Sequence, residues 1–400
     1  MGDVPSSETK PSSWSWRFVL SCVFILPIVS FSWLAVLRAP TTKLWMLSIL
    51  MTEAGYVFAV VLLVGCFLVD RSRASGKWLS VLGILGIGMV LSPWARAVAM
   101  LPAMKNELIN TLGTDEPLLK DGVTGQTAPL LLGRLLGTSD PGVKRKSYTL
   151  KVPGKKLLVD VYQQSSVQKP QPLLVSIHGG AWRTGSPRFL TRMNPYFAAR
   201  GITVAAISYR LMPKYKFPTQ SNDVTHTLKW LRSQAKTLRI DPNRIALMGR
   251  SAGGHLSLLA GYKQVVPGIR GVVNFYGPTD LHWSWANPAN PWVINSTKVL
   301  KGFLGGSPKQ VKQAYDQASP IRFASAKSPP TLLIQGTRDE LVSPVHNRRL
   351  AARLKTLGVQ HYLLELPWAT HGCDAILFGP CGQLSLYAME RFFRVTLLKP

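Results

Sequence analysis

Over the first hundred residues the apolar positions run together without a period, and from residue 145 they regroup into short blocks separated by polar turns. Three apolar spans occupy the first part, about 18–37 (FVLSCVFILPIVSFSWLAVL), 44–69 (LWMLSILMTEAGYVFAVVLLVGCFLV) and 78–95. Each approaches the roughly 20 residues that an α-helix needs to cross a bilayer core. Trp33, Trp45, Trp78 and Trp94 fall near span ends, where amphipathic rings favour the membrane interface. Glu53 sits inside the second span, a costly position in lipid unless it faces another helix. The first span contains Pro27 and runs into Arg38 rather than a small-residue cleavage site, so it reads as a membrane anchor and not as a signal peptide. The predicted organisation is a tail over 1–17, a transmembrane region over 18–104, a connector over 105–142 and a globular domain over 143–400. The connector piece PLLLGRLLG (129–137) is expected to lie on the membrane surface or pack on that domain, and a chain starting near residue 140 is expected to be soluble and active provided 129–137 is not an integral part of the cap.

In the globular part, KSYTLKV and KKLLVDVYQ alternate like antiparallel strands around Pro153-Gly154. Continuous apolar blocks follow at 172–178, 202–209, 244–249, 271–277, 330–336 and 361–367, with helix-like segments at 221–238, 252–262, 342–358 and 382–397. Unbroken β-branched and leucine runs mark strands buried on both faces, so these elements predict an α/β doubly wound, mostly parallel sheet. Residues 281–328 then form an insertion between two strands, a candidate cap.

Charge changes the picture on one point. The chain carries a formal net charge of +28, most of it beyond residue 104. Such a surface suits anionic lipid headgroups. The basic residues are dispersed and no nucleic-acid recognition motif accompanies them, so no nucleic-acid partner is expected. Four cysteines exclude a disulfide scaffold, and no spacing fits a metal site. Cys373 and Cys381 stand eight positions apart and could pair in an oxidising compartment, although free thiols are the expectation beside a candidate active site.

The chemistry concentrates in Gly249-Arg250-Ser251-Ala252-Gly253, a G-x-S-x-G between a buried strand and a helix. A sharp strand-to-helix turn presents the serine hydroxyl at a helix N-terminus, where N–H groups favour negative charge. A serine nucleophile needs a base and an orienting acid, and with this turn they follow in the order Ser, acid, His. His346 falls inside a predicted surface helix, and His361 opens its strand at the wrong end of the sheet. His371 lies just past the strand 361–367, at the end where functional groups collect. Asp339, three residues past 330–336, is preferred as the acid over Asp280, which reads as a turn or cap residue. Glu340 points elsewhere, and Asp374 comes after the histidine. Oxyanion donors are expected from the small-residue segment HGGAW (178–182) and from the N–H of Ala252. His178 and His255 read as structural residues.

These pieces carry a resemblance. HGGAW, SYRLMPKYKFP (208–218) with Asn222-Asp223-Val224, GRSAGGH (249–255), FYGPTDL (275–281), FLGGSP (303–308), ASPI (318–321), PPTLLIQGTRDELVSP (329–344) and THGCD (370–374) together resemble the α/β-hydrolase superfamily. Within it the closest likeness is to the hormone-sensitive-lipase-like and acetyl/feruloyl-type esterases. The resemblance implies Ser251 as nucleophile, Asp339 as acid, His371 as base, and Gly180, Ala181 and Ala252 as oxyanion donors. Ala181 stands where lipase-like members often have a third glycine, which narrows the hole.

The expected function is a membrane-anchored serine hydrolase cleaving a small-molecule or lipid ester, with no metal or cofactor. Trp182, Trp283 and Trp285 are candidates for its substrate wall. An amidase or peptidase of the same superfamily and an inactive membrane-tethered binding module are the other readings. Lys10, Arg17, Arg71, Arg73 and Lys77 on one side stand against Arg38, Lys43, Arg96 and Lys105 on the other, and the denser cluster at 71–77 favours a cytoplasmic N-terminus, which puts the hydrolase domain outside the cytoplasm.

Overall fold

The computed structural model describes residues 15–398, except 121–122, 137–139 and 141. Most of the expected N-terminal tail, including Lys10, lies outside the described residues.

The chain enters at α1 (Trp16–Ser32), capped by Ser15 and prolonged by a 3-10 turn, Trp33–Ala35. Next come α2 (Thr42–Glu53), α3 (Gly55–Leu68) and the 39-residue α4 (Ala74–Leu112). Residues 16–35 and α4 are long and apolar enough to cross a membrane. The expected second span, 44–69, is not one helix: α2 and α3 meet at 79°. At 12 residues α2 is about 18 Å long, against a bilayer core of roughly 30 Å. Helix α3 packs antiparallel between α1 and α4. A Cβ added at Gly65 would strike Ile25, one at Gly83 the Cys66 sulfur, and one at Gly86 both Val29 and Leu62. The small residues of the second and third spans thus admit neighbouring helices at close range.

The third span also runs further than expected. Helix α4 continues to Gly113, which ends it in the left-handed conformation at φ 72°. Ala97, Met104, Leu108 and Leu112 on its second half are buried in the same core as Phe197, Leu364, Met389 and Phe393. The expected boundary at residue 104 therefore falls inside a helix that covers the sheet.

That sheet has eight strands: β1 (Val143–Val152), β2 (Lys155–Gln164), β3 (Gln171–Ile177), β4 (Thr203–Ile207), β5 (Ile240–Arg250), β6 (Ile269–Phe275), β7 (Thr331–Gly336) and β8 (His361–Leu366). Their order is 8-7-6-5-3-4-2-1. Strands β3 to β8 pair parallel, while the β1–β2 hairpin joins β4 antiparallel through Val159↔Ile207. Every residue of β3, β4 and β7 is buried, as their unbroken apolar runs require. The helices 193–199 and 380–393 lie on one face with α4, and 219–233, 252–262 and 345–356 on the other.

The connector is built into this domain. Leu130 packs on the core, Arg134 reaches the Tyr196 hydroxyl at 3.0 Å, and the Gln126 N–H donates to the buried Glu390 carboxylate at 2.8 Å. A chain starting near residue 140 would lose these contacts and the second half of α4, which packs in the hydrolase core. Leu108, fully buried in the hydrolase core, tests this in the full chain. Leu108→Ala should cost about 2–5 kcal/mol and lower the unfolding midpoint of the hydrolase domain in detergent, followed by tryptophan fluorescence. An unchanged midpoint would mean that α4 and the sheet are independent.

Candidate active site

Strand β5 ends at Arg250 and the helix Ala252–Tyr262 starts two residues later, with Ser251 between them at φ 52°, ψ −119°. A non-glycine residue held there stores about 1–3 kcal/mol of strain. The turn is fixed from both sides: Ser251 N–H donates to the Phe275 carbonyl of β6 at 2.9 Å, and the Ser251 carbonyl accepts from His255 N–H at 3.0 Å. The flanking glycines have no alternative. A Cβ at Gly249 would stand 2.1 Å from the Gly253 carbonyl oxygen, and one at Gly253 2.1 Å from that of Ile177. The serine side chain is thereby turned out over the carboxyl end of the sheet, at the positive end of the helix dipole.

Beyond the end of β3, Gly180, Ala181 and Trp182 all adopt positive φ, at 110°, 51° and 56°. Thr184 and Arg183 N–H donate back to the Gly180 carbonyl, closing a tight loop beside Ser251. Gly180, Ala181, Ser251 and Ala252 line one cleft of about 1650 Å³. Asp339 and His371 line it as well.

The acid and base loops are brought into direct contact. His371 Nδ1 lies 2.7 Å from Asp339 Oδ2. The Asp339 carboxylate also accepts from the N–H groups of Leu341 (2.9 Å) and Val342 (2.8 Å) and from the Gln335 amide (3.2 Å). This donor set fixes the carboxylate and leaves one oxygen aimed at the imidazole. The rival carboxylates are engaged elsewhere. Asp280 caps the helix Leu281–Ala286 through Trp283 N–H and pairs with Arg349 at 3.1 Å. Glu340 accepts from Ala39 N–H at 2.8 Å and from the Thr370 hydroxyl. Asp374 holds the buried Arg250 guanidinium and the Tyr276 hydroxyl; burial, and then that carboxylate, raise the Tyr276 pKa and keep the phenol a donor.

Three further histidines lie close by, and desolvation sets each of them neutral. Burial pushes His178 and His255 down to about 4, and His346 to about 3. His178 stacks on Tyr209 at 4.3 Å, and His255 lies within 2.7 Å of the Ala318 carbonyl, in keeping with structural roles. His346 corrects the expectation of a surface helix: it is buried, lines the cleft and meets the Ser284 hydroxyl at 2.8 Å. Its helix, Val345–Thr356, turns that residue inward because it follows directly on the Asp339 loop.

The tryptophans divide. Trp182 lines the cleft, stacked on Phe303 at 4.1 Å, and Trp283 lines it against His346. Trp285 does not reach it. Its ring packs on Tyr315 and under Lys301, because the opposite side of its short helix faces the cleft.

The largest departure from expectation is the contribution of the N-terminal segment. Arg38, Trp45, Met46 and Ile49 line the cleft. Trp45 Nε1 donates to the His371 carbonyl at 2.9 Å, and Arg38 to the Thr337 carbonyl at 2.9 Å. Glu53 is no lipid-facing or bundle residue. It is buried and accepts from Cys381 N–H at 2.8 Å and from Trp368 Nε1 at 3.3 Å. Cys373 and Cys381 are bonded rather than free, tying the loop after His371 to the start of the helix Pro380–Phe393. In the sequence Trp45 read as a ring at the membrane interface near a span end, and Glu53 as a costly polar residue within that span. Nothing local there links them to a loop more than 300 residues away.

A mostly parallel eight-stranded sheet with a strained serine turn and an acid–histidine pair at its carboxyl end defines an α/β-hydrolase fold. The fold of the chain is that of the α/β-hydrolases, and residues 159–354 are similar to the family model described as BD-FAE. Esterase LipC of Mycobacterium tuberculosis is 31% identical over 239 residues, which cover 55% of this chain and 57% of LipC. The probable carboxylic ester hydrolase LipM of the same organism is 30% identical over 235 residues, 55% of this chain and 53% of LipM. The chain thus spans little more than half the length of these curated relatives. Among solved structures, the native Est2 esterase of Thermogutta terrifontis superposes with a TM-score of 0.53 at 24% identity, covering 64% of this chain and 92% of Est2.

The buried histidines generate a pH dependence. Their folded pKa values of about 4, 4 and 3 lie below the unfolded value near 6.5. The unfolded chain therefore binds more protons below pH 6.5, and the stability these residues give above it is lost as pH falls towards 4. The combined slope should approach about 4 kcal/mol per pH unit. Unfolding midpoints in urea between pH 7 and 5 should fall accordingly, less steeply in His346→Gln. Equal slopes in the two proteins would refute the burial argument.

Proposed function

We propose that this protein is a membrane-anchored serine esterase that cleaves carboxylic esters through an acyl-enzyme. The observation that carries the reading is the His371–Asp339 hydrogen bond of 2.7 Å beside a serine on a strained, glycine-walled turn. The esterase relatives supply the substrate class.

In this mechanism Ser251 Oγ attacks the ester carbonyl carbon while His371 Nε2 takes its proton. Asp339, bonded to Nδ1, fixes the tautomer and stabilises the imidazolium. The carbonyl oxygen becomes an oxyanion against the N–H groups of Gly180, Ala181 and Ala252, donors held in place before charge develops. The C–O bond then breaks and the alcohol leaves with the proton from His371. Water, deprotonated by His371, attacks the acyl-enzyme, frees the acid and returns the proton to Ser251. The neighbouring histidines stay neutral by burial and have no carboxylate oriented on them in this way, which leaves His371 as the base.

Ser251→Ala should lower kcat on p-nitrophenyl acetate by several orders of magnitude and abolish fluorophosphonate labelling. Asp339→Asn should fall far below Asp280→Asn. Retained labelling at another serine, or a more damaging Asp280→Asn in a folded protein, would refute the assignment.

The anchor in this reading comprises α1, α3 and the first half of α4, which cross the bundle in alternating directions. Arg71, Arg73 and Lys77 then lie at the end away from the hydrolase, and the rule that positive loops stay cytoplasmic sets the hydrolase domain outside. The Cys373–Cys381 bond suits an oxidising compartment. A reporter fused at residue 110 should give active alkaline phosphatase and dark green fluorescent protein. The opposite pattern would turn the domain to the cytosol.

A further inference from the structure

The two loops that carry Asp339 and His371 are bonded to the ends of the apolar helices. Arg338, next to the acid, donates to the carbonyls of Ala35 at 2.8 Å and Leu34 at 3.0 Å, where α1 has run out of its own N–H partners. On the other side, Glu53 ends α2 and holds Trp368 and Cys381, which flank the His371 loop. Helix α3 starts at Gly55, immediately beyond. The domain therefore meets the apolar bundle with its cleft side.

Between the two attachments lies α2, too short to span a bilayer. Trp45 and Ile49 face the cleft, and Met46 lines it while remaining 57% exposed, with Leu50 45% exposed one turn on. Phe189, on a loop after β3, also lines the cleft and is 59% exposed. A rim of exposed apolar side chains continuous with membrane helices marks a route for an apolar ligand. The cleft, about 1650 Å³, exceeds the roughly 300–1,000 Å³ that serves drug-sized ligands. An acetate ester would leave most of it unfilled.

We propose that the site takes amphiphilic esters from the bilayer surface. The ester carbonyl sits at Ser251, and a long hydrocarbon chain lies along α2 between Ile49, Met46 and Phe189, towards the lipid. Ile49 and Met46 are then specificity-determining residues. This rests on the reading of the site as a membrane-anchored serine esterase, and the bonds made and broken are those of that reaction. The chain belongs to the acyl or to the alcohol part of the ester, and two substrate series separate these sources.

The full-length protein in phosphatidylcholine vesicles would be assayed on p-nitrophenyl acylates from two to sixteen carbons and on acetyl esters of alcohols of the same lengths. Wild type should prefer long members in one series. Met46→Gln, Ile49→Gln and Phe189→Gln should each lower the long-to-short ratio of kcat/KM in that series by about tenfold or more, through KM, and Met46→Leu should keep it. Phe189 stands on an exposed loop outside the N-terminal segment, so its variant tests the wall even if the α2 variants misfold. Short members preferred in both series, or ratios unchanged in variants that still react with fluorophosphonate, would overturn this inference alone. A wild-type protein that hydrolysed neither series and took no label would overturn the esterase reading beneath it.

Discussion

The Arg338 guanidinium, buried beside the proposed acid, donates through its two terminal nitrogens to the last carbonyls of the first apolar helix. A buried cation without acceptors is costly, and a helix end without donors is costly too. Each offsets part of the other's penalty. Burial lowers the Arg338 pKa to about 10, which still leaves it cationic at neutral pH. Because Arg338 and Asp339 are consecutive, the contact that docks the helix bundle also sets the backbone from which Asp339 reaches His371. The position of the proposed acid and the docking of the N-terminal helices are one structural fact.

The His371 loop is held in the same manner from several directions. Trp45 takes the His371 carbonyl, Glu340 takes the Thr370 hydroxyl, and Asp374 anchors to Arg250 and Tyr276. The Cys373–Cys381 bond closes the loop against the helix behind it. Arg250 is the residue before Ser251, so the serine turn and the histidine loop share an ion pair beneath the cleft. Buried and fully partnered, such a network defines geometry more than it adds stability. For a proton relay that tolerates little misplacement, geometry is the relevant quantity.

The serine turn itself depends on very little of this. Two carbonyl oxygens about 2 Å from where a side chain would sit dictate Gly249 and Gly253, and one hydrogen bond from β6 holds the strained residue between them.

That difference explains what the sequence by itself determined. Continuous apolar blocks identified every parallel strand, because strands covered on both faces admit little else. G-x-S-x-G and the order of acid and histidine singled out Ser251, Asp339 and His371 as candidates, and the fold brings all three to one cleft because each follows its own strand at the same end of the sheet. Alternative carboxylates and histidines separated on the same rule, apart from His346, whose inward turn no local pattern announced. The tertiary structure alone decided the rest. Apolar periodicity cannot distinguish a helix buried in lipid from one buried against protein, so α2 read as half of a membrane span and the end of α4 as a connector. Trp45, Glu53, Arg338 and the Cys373–Cys381 pair acquire their roles from partners that in several cases lie some 300 positions away in the chain. Burial is a property of the folded surface, and only the fold states what covers it.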